Sequence, residues 1–192
     1  PDMLRRQARD SGDRVFLAER AADGSWRRTT YADVARGVRS LGTALLARGC
    51  SLERPVSILS GNGIDHAQLA LAAMEAGVPV APVSTAYSLM SQDFGKLLHV
   101  VRLLTPRLIF VDDGMAYARA LAALRAAGLL DGVEVVVSRN PPTGIATTML
   151  ADLLATPPDA ALDAAFAALT PDTIAKILFT SGSTGLPKGV IN

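Results

Sequence analysis

Short apolar segments alternate with helical segments through the middle of the chain, and this alternation limits the folds open to it. Strand-like runs rich in Val, Ile and Leu occupy residues 55–59, 78–83, 107–111 and 133–137. Helical runs separate them, over residues 64–76, from Ser91 to Leu104, and over the alanine-rich stretch 115–127. Parallel strands need such crossover helices, which cover both faces of the sheet. The pattern predicts an α/β fold with a mainly parallel sheet flanked by helices on both faces.

Further elements are predicted before this region. A basic helix opens the chain, and two short strands follow at residues 15–19 and 26–29. Thr30 has the side chain of a helix cap, and Asp33 stands three positions later, where it supports the start of the helix. An apolar stripe at helical spacing is then formed by Val34, Val38, Leu41 and Leu45. Gly49 ends this helix.

After the alternating region we expect a short helix at 148–155, an alanine-rich helix at 159–169 and a last strand at 175–179. Polar or glycine-rich residues follow the strands, and ligands collect beyond the carboxyl ends of strands in such sheets. These strand ends are Ser60-Gly61-Asn62-Gly63, Ser84-Thr85, Asp112-Asp113-Gly114, Ser138-Arg139 and Thr180-Ser181-Gly182.

Composition excludes several classes of protein. The chain has 192 residues with a formal net charge of +1, whereas nucleic-acid binders usually carry a basic excess, so we expect no nucleic-acid partner. Cys50 is the single cysteine, which rules out an internal disulfide, and we interpret it as a buried or half-buried thiol. Because no uncharged apolar run is long enough for a membrane span, we expect a cytoplasmic protein without one.

The segment after the last strand, residues 179–190, reads FTSGSTGLPKGV and predicts a phosphate-binding loop. Its glycines let successive backbone N–H groups converge on an anion, its hydroxyls can donate to phosphate oxygens, and Lys188 adds a positive charge. It is not a Walker A loop, because Pro187 replaces the glycine that must precede the lysine. It is not a nucleophile elbow either, because neither Ser181 nor Ser183 has glycine two residues away on both sides.

This segment resembles, position for position, the signature Thr-Ser-Gly-Ser/Thr-Thr-Gly-x-Pro-Lys-Gly of adenylate-forming enzymes. That superfamily comprises acyl- and aryl-CoA synthetases, the adenylation domains of peptide synthetases and beetle luciferases. Residues 29–33 and 74–83 are similar to its first two core motifs, so the resemblance covers nearly the whole chain. Residues 81–90 look most like the feruloyl-CoA synthetase branch, which activates hydroxycinnamic acids.

The resemblance implies a two-step reaction of an acid–thiol ligase, which forms a carbon–sulfur bond. A carboxylate such as ferulate attacks ATP to give an acyl-adenylate and pyrophosphate, and the thiol of CoA then takes the acyl group. Mg²⁺ is the implied metal ion, although no metal-ligating residues are assigned. By analogy the phosphates are held by Thr180, Ser181, Gly182, Ser183, Thr184 and Gly185. Lys188 neutralises their charge and is the implied catalytic residue.

The resemblance also suggests what the chain is part of. Residues 1–192 correspond to the N-terminal subdomain of the AMP-binding domain, ending just after the phosphate-binding loop and without the C-terminal lid domain. We therefore expect the isolated chain to be inactive. Two alternatives stay open: an adenylation domain that loads a carrier protein, and a non-catalytic phosphate-binding module. A homodimer also stays open.

Other candidate sites are less convincing. The glycines at 61 and 63 begin like a dinucleotide fingerprint, but His66 occupies the third glycine position, so we interpret them as a turn and helix cap. His66 and His99 are too few, with Cys50, for a zinc site, and His99 is interpreted as either half-buried packing or a surface residue. The pair Asp112-Asp113 is interpreted as helix capping, and Lys96 and Lys176 receive no chemical role.

Overall fold

Five parallel strands form the central sheet in the computed structural model of the chain, which describes residues 1–21, 23–180 and 185–192. The helices are α1 (Asp2–Asp10), α2 (Tyr31–Ala47), α3 (Ile64–Glu75), α4 (Gly95–Leu104), α5 (Ala118–Ala126), α6 (Leu150–Leu154) and α7 (Ala160–Ala167). The strands are β1 (Val15–Arg20), β2 (Trp26–Thr30), β3 (Val56–Ile58), β4 (Val80–Pro82), β5 (Leu108–Asp113), β6 (Glu134–Arg139), β7 (Thr148–Met149), β8 (Ile177–Thr180) and β9 (Lys188–Ile191).

The central sheet has the strand order β4-β3-β5-β6-β7, and every neighbouring pair in it is parallel. Successive residues of β5 point to opposite faces. Leu108 and Phe110 join a core with α2 and α3, whereas Ile109 and Val111 join a second core with α4 and α5. The predicted α/β fold with helices on both faces is therefore confirmed.

Helix α2 begins as its sequence predicts. The Thr30 side chain accepts a hydrogen bond from the Asp33 N–H, and the Asp33 carboxylate accepts one from the Thr30 N–H. All four residues of the predicted apolar stripe are fully buried: Val34, Val38, Leu41 and Leu45. Gly49 follows the helix with a φ of 76°, a left-handed conformation that glycine adopts at little cost.

Three other elements differ from their predictions. Ser91 accepts the Phe94 N–H, but α4 itself begins at Gly95, because Phe94 has a φ of 55° that no helix accommodates. Helix α5 begins at Ala118, three residues later than expected. The predicted short helix near residue 148 starts with a strand, β7, which pairs with β6 before α6 begins.

The last strand of the prediction is half of a hairpin. Strand β8 pairs antiparallel with β9, a strand that the loop-like composition around Lys188 did not predict. The base of this hairpin joins the sheet beside β4, where Val80 N–H donates to the Ala175 carbonyl at 3.1 Å and Val80 forms a parallel bridge with Lys176. Thr180, the last residue of β8, therefore lies at the same edge as the carboxyl end of β4.

Cys50 is buried, as the sequence suggests, at 4% exposure. Burial raises the pKa of its thiol to about 12, so almost no thiolate forms at neutral pH. We expect a thiol-specific disulfide reagent at pH 8 to leave Cys50 unmodified in the native protein and to label it fully once guanidinium unfolds the chain. Rapid labelling of the native protein would contradict the buried position.

Within the described part of the chain, no helix combines the length and the apolar character needed to cross a membrane.

Candidate functional site

The candidate site lies at the carboxyl edge of the sheet. Ser60 follows β3, Ser84 follows β4, and the carboxyl end of β5 carries Asp112 and Asp113. Because β3, β4, β5 and β6 are parallel, these residues meet at one edge, as the sequence predicts. The parallel bridge beside β4 brings Thr180, the last residue of β8, to this same edge.

The structure brings two of the predicted phosphate-binding residues together. Thr180 and Lys188 are directly opposite in the β8–β9 register, and Thr180 Oγ1 is 3.5 Å from the Lys188 carbonyl oxygen, at the long limit of a hydrogen bond. Lys188 thus begins a strand, which corrects the expectation that the whole segment is a loop. Ser181, Gly182, Ser183 and Thr184 lie outside the described residues.

Gly185 is the remaining predicted phosphate-binding residue. It is exposed, and a Cβ atom added to it would meet no described atom within 4 Å. Gly189, one residue beyond Lys188, is different, because an added Cβ would lie 3.2 Å from Ile177 Cγ2 on the opposite strand. Close packing within the hairpin explains the glycine at 189, whereas no contact inside the described chain explains the glycine at 185.

The charge of Lys188 is available to a ligand. Its side chain is exposed, and no carboxylate of residues 1–21, 23–180 or 185–192 lies within 4.0 Å of its ammonium group. An exposed ammonium without a carboxylate partner among the described residues is suited to bind a polyanion such as a phosphate chain.

The arginines at the sheet edge differ from Lys188, because their charges are paired with carboxylates. Arg139 pairs with both Asp112 and Asp113 at 3.2 Å. Arg27 pairs with Glu19 at 2.9 Å and with Asp65 at 2.7 Å. Each guanidinium is therefore already neutralised by two carboxylates, so this part of the edge does not favour an anion.

The two acidic residues after β5 are used within the fold. Partial burial raises the pKa of Asp113, but hydrogen bonds from Asn140 and the Ala116 N–H and the charge of Arg139 outweigh it and leave the pKa below its ordinary value. The Ala116 contact lies in the turn before α5, whose N-cap residue is Tyr117 and which has no side-chain cap, so the prediction that this acidic pair caps a helix is wrong. Among the residues that the structure describes, no cluster of three His, Cys, Asp or Glu side chains could hold a metal ion.

The glycine at 63 has a structural role, because it is the N-cap residue of α3. Glu19 reaches from β1 to the start of α3, where its carboxylate accepts the Ile64 N–H at 2.7 Å. A Cβ on Gly63 would lie 2.9 Å from that same carboxylate oxygen, so a side chain at 63 would displace the end of Glu19 from this contact. Since a carboxylate already occupies this helix N-terminus, a dinucleotide phosphate is not expected there.

Both histidines contact backbone carbonyl groups. His66 Nδ1 is 3.0 Å from the Gly61 carbonyl oxygen, which agrees with its interpretation as a neighbour of a helix cap. His99, interpreted from the sequence as half-buried packing or a surface residue, is half-buried and places Nε2 3.0 Å from the carbonyl oxygen of Pro187, next to Lys188. Nothing in the local sequence of α4 indicates this contact, because it joins residues 88 positions apart.

A cavity of about 560 Å³ opens between β1 and the start of α3. Its walls are mostly apolar, with Phe16, Leu17, Ile64 and Leu71 among the lining residues. None of the residues that line it belongs to the β8–β9 hairpin. The cavity is therefore separate from the lysine-bearing candidate site.

Comparison with known protein families identifies the family of this chain. The sequence profile of the family described as AMP-binding enzyme matches residues 4–192, which is nearly the entire chain. The chain belongs to the AMP-binding enzyme family. The sequence resemblance to adenylate-forming enzymes is thereby confirmed at the level of the family.

Two curated relatives of this family member have names that describe different enzymes. The sulfoacetate–CoA ligase of Cupriavidus necator is 34% identical over 166 residues, which cover 84% of this chain and 29% of the ligase. The phosphinothricin tripeptide synthetase PhsC of Streptomyces viridochromogenes is 28% identical over 174 residues, which cover 89% of this chain and 14% of the synthetase. The chain therefore spans less than a third of either relative.

Solved structures share the fold of this AMP-binding chain. A benzoate CoA ligase from Burkholderia xenovorans matches 99% of the chain with a TM-score of 0.73 and 21% identity, over 33% of its own length. The McyG A-PCP structure, complexed with phenylalanyl-adenylate, matches 100% of the chain with a TM-score of 0.71 and 23% identity, over 27% of its own length.

Proposed function

We propose that this chain belongs to an AMP-forming acyl- or aryl-CoA ligase and supplies the N-terminal subdomain of its AMP-binding domain. The observation that carries the proposal is the placement of Lys188 opposite Thr180 at the carboxyl edge of the sheet, where it is exposed and has no carboxylate partner among the described residues. The chain spans 29% of the sulfoacetate–CoA ligase, so the activity is proposed for a longer protein that contains it.

The proposed reaction has two steps. A carboxylate oxygen of the acid attacks the α-phosphorus of ATP, the bond from that phosphorus to its bridging oxygen breaks, and pyrophosphate leaves. The CoA thiol then loses its proton, its sulfur attacks the acyl carbon of the adenylate, and AMP leaves. Since Lys188 is available to a ligand, we assign it the role of neutralising the negative charge that grows on pyrophosphate in the first step.

The remaining roles concern binding. Thr180, Ser181, Gly182, Ser183, Thr184 and Gly185 are proposed to hold the β- and γ-phosphates through hydroxyl and backbone N–H groups. None of them acts as a covalent nucleophile. Mg²⁺ supplies charge neutralisation when bound with ATP, and it commonly binds through substrate phosphates and a few carboxylates. The described residues offer no three-ligand cluster for it, and none of the roles assigned to this chain depends on it.

The thiol that accepts the acyl group is proposed to be CoA. The relative at 34% identity is named a CoA ligase, whereas the tripeptide synthetase PhsC is 28% identical. A second candidate, loading of a carrier protein, is favoured by the match of the whole chain to the McyG A-PCP structure. Mass spectrometry of the product distinguishes the two, because one yields a free CoA thioester and the other a protein-bound acyl group.

The acid is proposed to be a hydroxycinnamate such as ferulate. This assignment rests on the resemblance of residues 81–90 to the feruloyl-CoA synthetase branch. In the structure this segment spans the end of β4 and the π-helical turn Ala86–Met90. Its position beside the carboxyl edge is compatible with a role near the reacting groups.

The test is ATP–pyrophosphate exchange by the complete gene product that contains this chain. The acids to compare are ferulate, benzoate, phenylalanine and sulfoacetate, with CoA added in a second set of reactions. We expect exchange to be fastest with ferulate and a CoA thioester to form when CoA is present. Exchange with phenylalanine alone would favour carrier loading, and no exchange with any carboxylic acid would support a non-catalytic phosphate-binding module.

Substitution of Gly185 by valine tests the proposed phosphate cradle. Because an added Cβ meets no described atom within 4 Å, we expect the melting temperature to stay within about 2 °C of the wild type, as for other exposed positions. A side chain at a site of close backbone approach to phosphate should raise the KM for ATP by about tenfold or more. Gly95→Val, at the exposed start of α4, is the control for ATP binding, because an added Cβ there would meet only ordinary contacts at 3.7–3.8 Å. A matched fall in melting temperature and activity would instead indicate a structural role for Gly185.

A further inference from the structure

Pro187, the residue before β9, is buried although the residues on either side of it are exposed. These neighbours are Leu186 and Lys188, and within residues 185–192 Pro187 alone is buried. A buried carbonyl needs a hydrogen-bond partner, and His99 Nε2 lies 3.0 Å from this one. Because a carbonyl oxygen can only accept, Nε2 must carry the proton and donate it.

This hydrogen bond acts directly on the backbone that carries Lys188. The Pro187 carbonyl and the Lys188 nitrogen belong to one planar peptide unit, and the proline ring fixes the preceding φ angle. Holding the Pro187 oxygen therefore restricts where the Lys188 Cα, and with it the ammonium group, can lie. The next carbonyl, that of Lys188, faces Thr180 Oγ1 at 3.5 Å.

Helix α4 is a rigid support for such a contact. Leu97, Val100 and Val101 surround His99 in sequence and are buried in the core shared by β4, β5 and α5. The base of the hairpin is attached separately, through the contact of Val80 with Ala175. The histidine is thus a second attachment, placed at the end of the hairpin where Lys188 lies.

We propose that His99 is a positioning residue for the phosphate-binding ammonium of Lys188. The proposal rests on the proposed function, because it assigns His99 a role only through the lysine. His99 itself is not assigned a contact with ATP. Its hydrogen bond to Pro187 holds the lysine in the orientation in which the leaving pyrophosphate is neutralised.

The experiment compares His99→Phe with His99→Gln in the complete gene product, using ATP–pyrophosphate exchange. Phenylalanine keeps a planar ring but has no donor, whereas glutamine places an amide N–H near the position of Nε2. We expect His99→Phe to lower kcat/KM for ATP by about three- to tenfold, the range of one hydrogen bond to a neutral acceptor, with the KM for the carboxylic acid unchanged. His99→Gln should recover most of the loss.

His66→Phe is the matched control, because His66 also contacts a backbone carbonyl at 3.0 Å but lies at the start of α3 rather than beside the hairpin. We expect it to leave kcat/KM for ATP near the wild-type value. Lys188→Ala is measured in parallel. If Lys188→Ala slows exchange strongly and His99→Phe leaves it unchanged, the role of His99 is wrong and the proposed function stands.

Two other results would also overturn the proposal. Equal losses in His99→Phe and His99→Gln, with a raised KM for the acid and a lower melting temperature, would mean that His99 only packs α4. Unchanged exchange in Lys188→Ala would remove the function proposed for the lysine, and the role of His99 would fail with it.

Discussion

Replacing Lys188 with alanine should slow adenylate formation by roughly 30- to 1000-fold, which corresponds to about 2–4 kcal/mol of transition-state stabilisation. The reason is electrostatic. Negative charge grows on pyrophosphate as the bond to the α-phosphorus breaks, and Lys188 has no described carboxylate within 4.0 Å that would already neutralise it. Pre-steady-state formation of the acyl-adenylate in the complete gene product measures this step directly.

Lys176→Ala is the matched control for Lys188→Ala. Lys176 lies at the base of the same hairpin, where its backbone forms a β-bridge with Val80. Its side chain, like that of Lys188, has no ion-pair partner among the described residues. We expect its removal to leave the rate of adenylate formation unchanged. Lys188→Arg should recover only part of the rate, because a guanidinium retains the charge but not the compact geometry of an ammonium. Unchanged adenylate formation in Lys188→Ala would refute the catalytic role.

The predictions that succeeded depend on local rules. The capping box of Thr30 and Asp33 and the apolar stripe of α2 follow from helical spacing alone, and both are present. The parallel sheet follows from strand–helix alternation, because crossover connections allow few other topologies. The family assignment followed from the order of residues in 179–190 rather than from their composition.

The features that the sequence did not predict depend on partners far along the chain. Lys188 lies in a strand because residues 188–191 pair with 177–180, and this pairing overrides the turn-like composition around Pro187 and Gly189. The contact of His99 with Pro187 depends on the bridge between Lys176 and Val80, which sets the hairpin beside β4, the strand that precedes α4. Local periodicity carries no information about such contacts, so the sequence predicted the ligand-binding segment but not its support.

The ion pair between Arg5 and Glu75 is the clearest example of such long-range dependence. Glu75 lies at the end of α3 with its side chain 2% exposed, and Arg5 of α1 donates to its carboxylate at 3.1 and 2.6 Å. The guanidinium also lies 3.7 Å from the centre of the Phe166 ring in α7. One arginine thus joins three helices and compensates a buried carboxylate.

Substitution of Arg5 by methionine should lower the free energy of unfolding by about 3 kcal/mol, because it leaves the buried carboxylate of Glu75 without its partner. The exposed pair of Arg36 and Asp33 is the control, and Arg36→Met should cost no more than about 1 kcal/mol, as for other surface pairs.

Adding Glu75→Gln to Arg5→Met should recover part of the loss, since removing both charges leaves no buried ion uncompensated. Guanidinium denaturation of all four proteins, including the Glu75→Gln single variant, completes a double-mutant cycle that isolates the coupling energy. A loss for Arg5→Met as small as that for Arg36→Met would show that the buried pair does not hold α1 against α3.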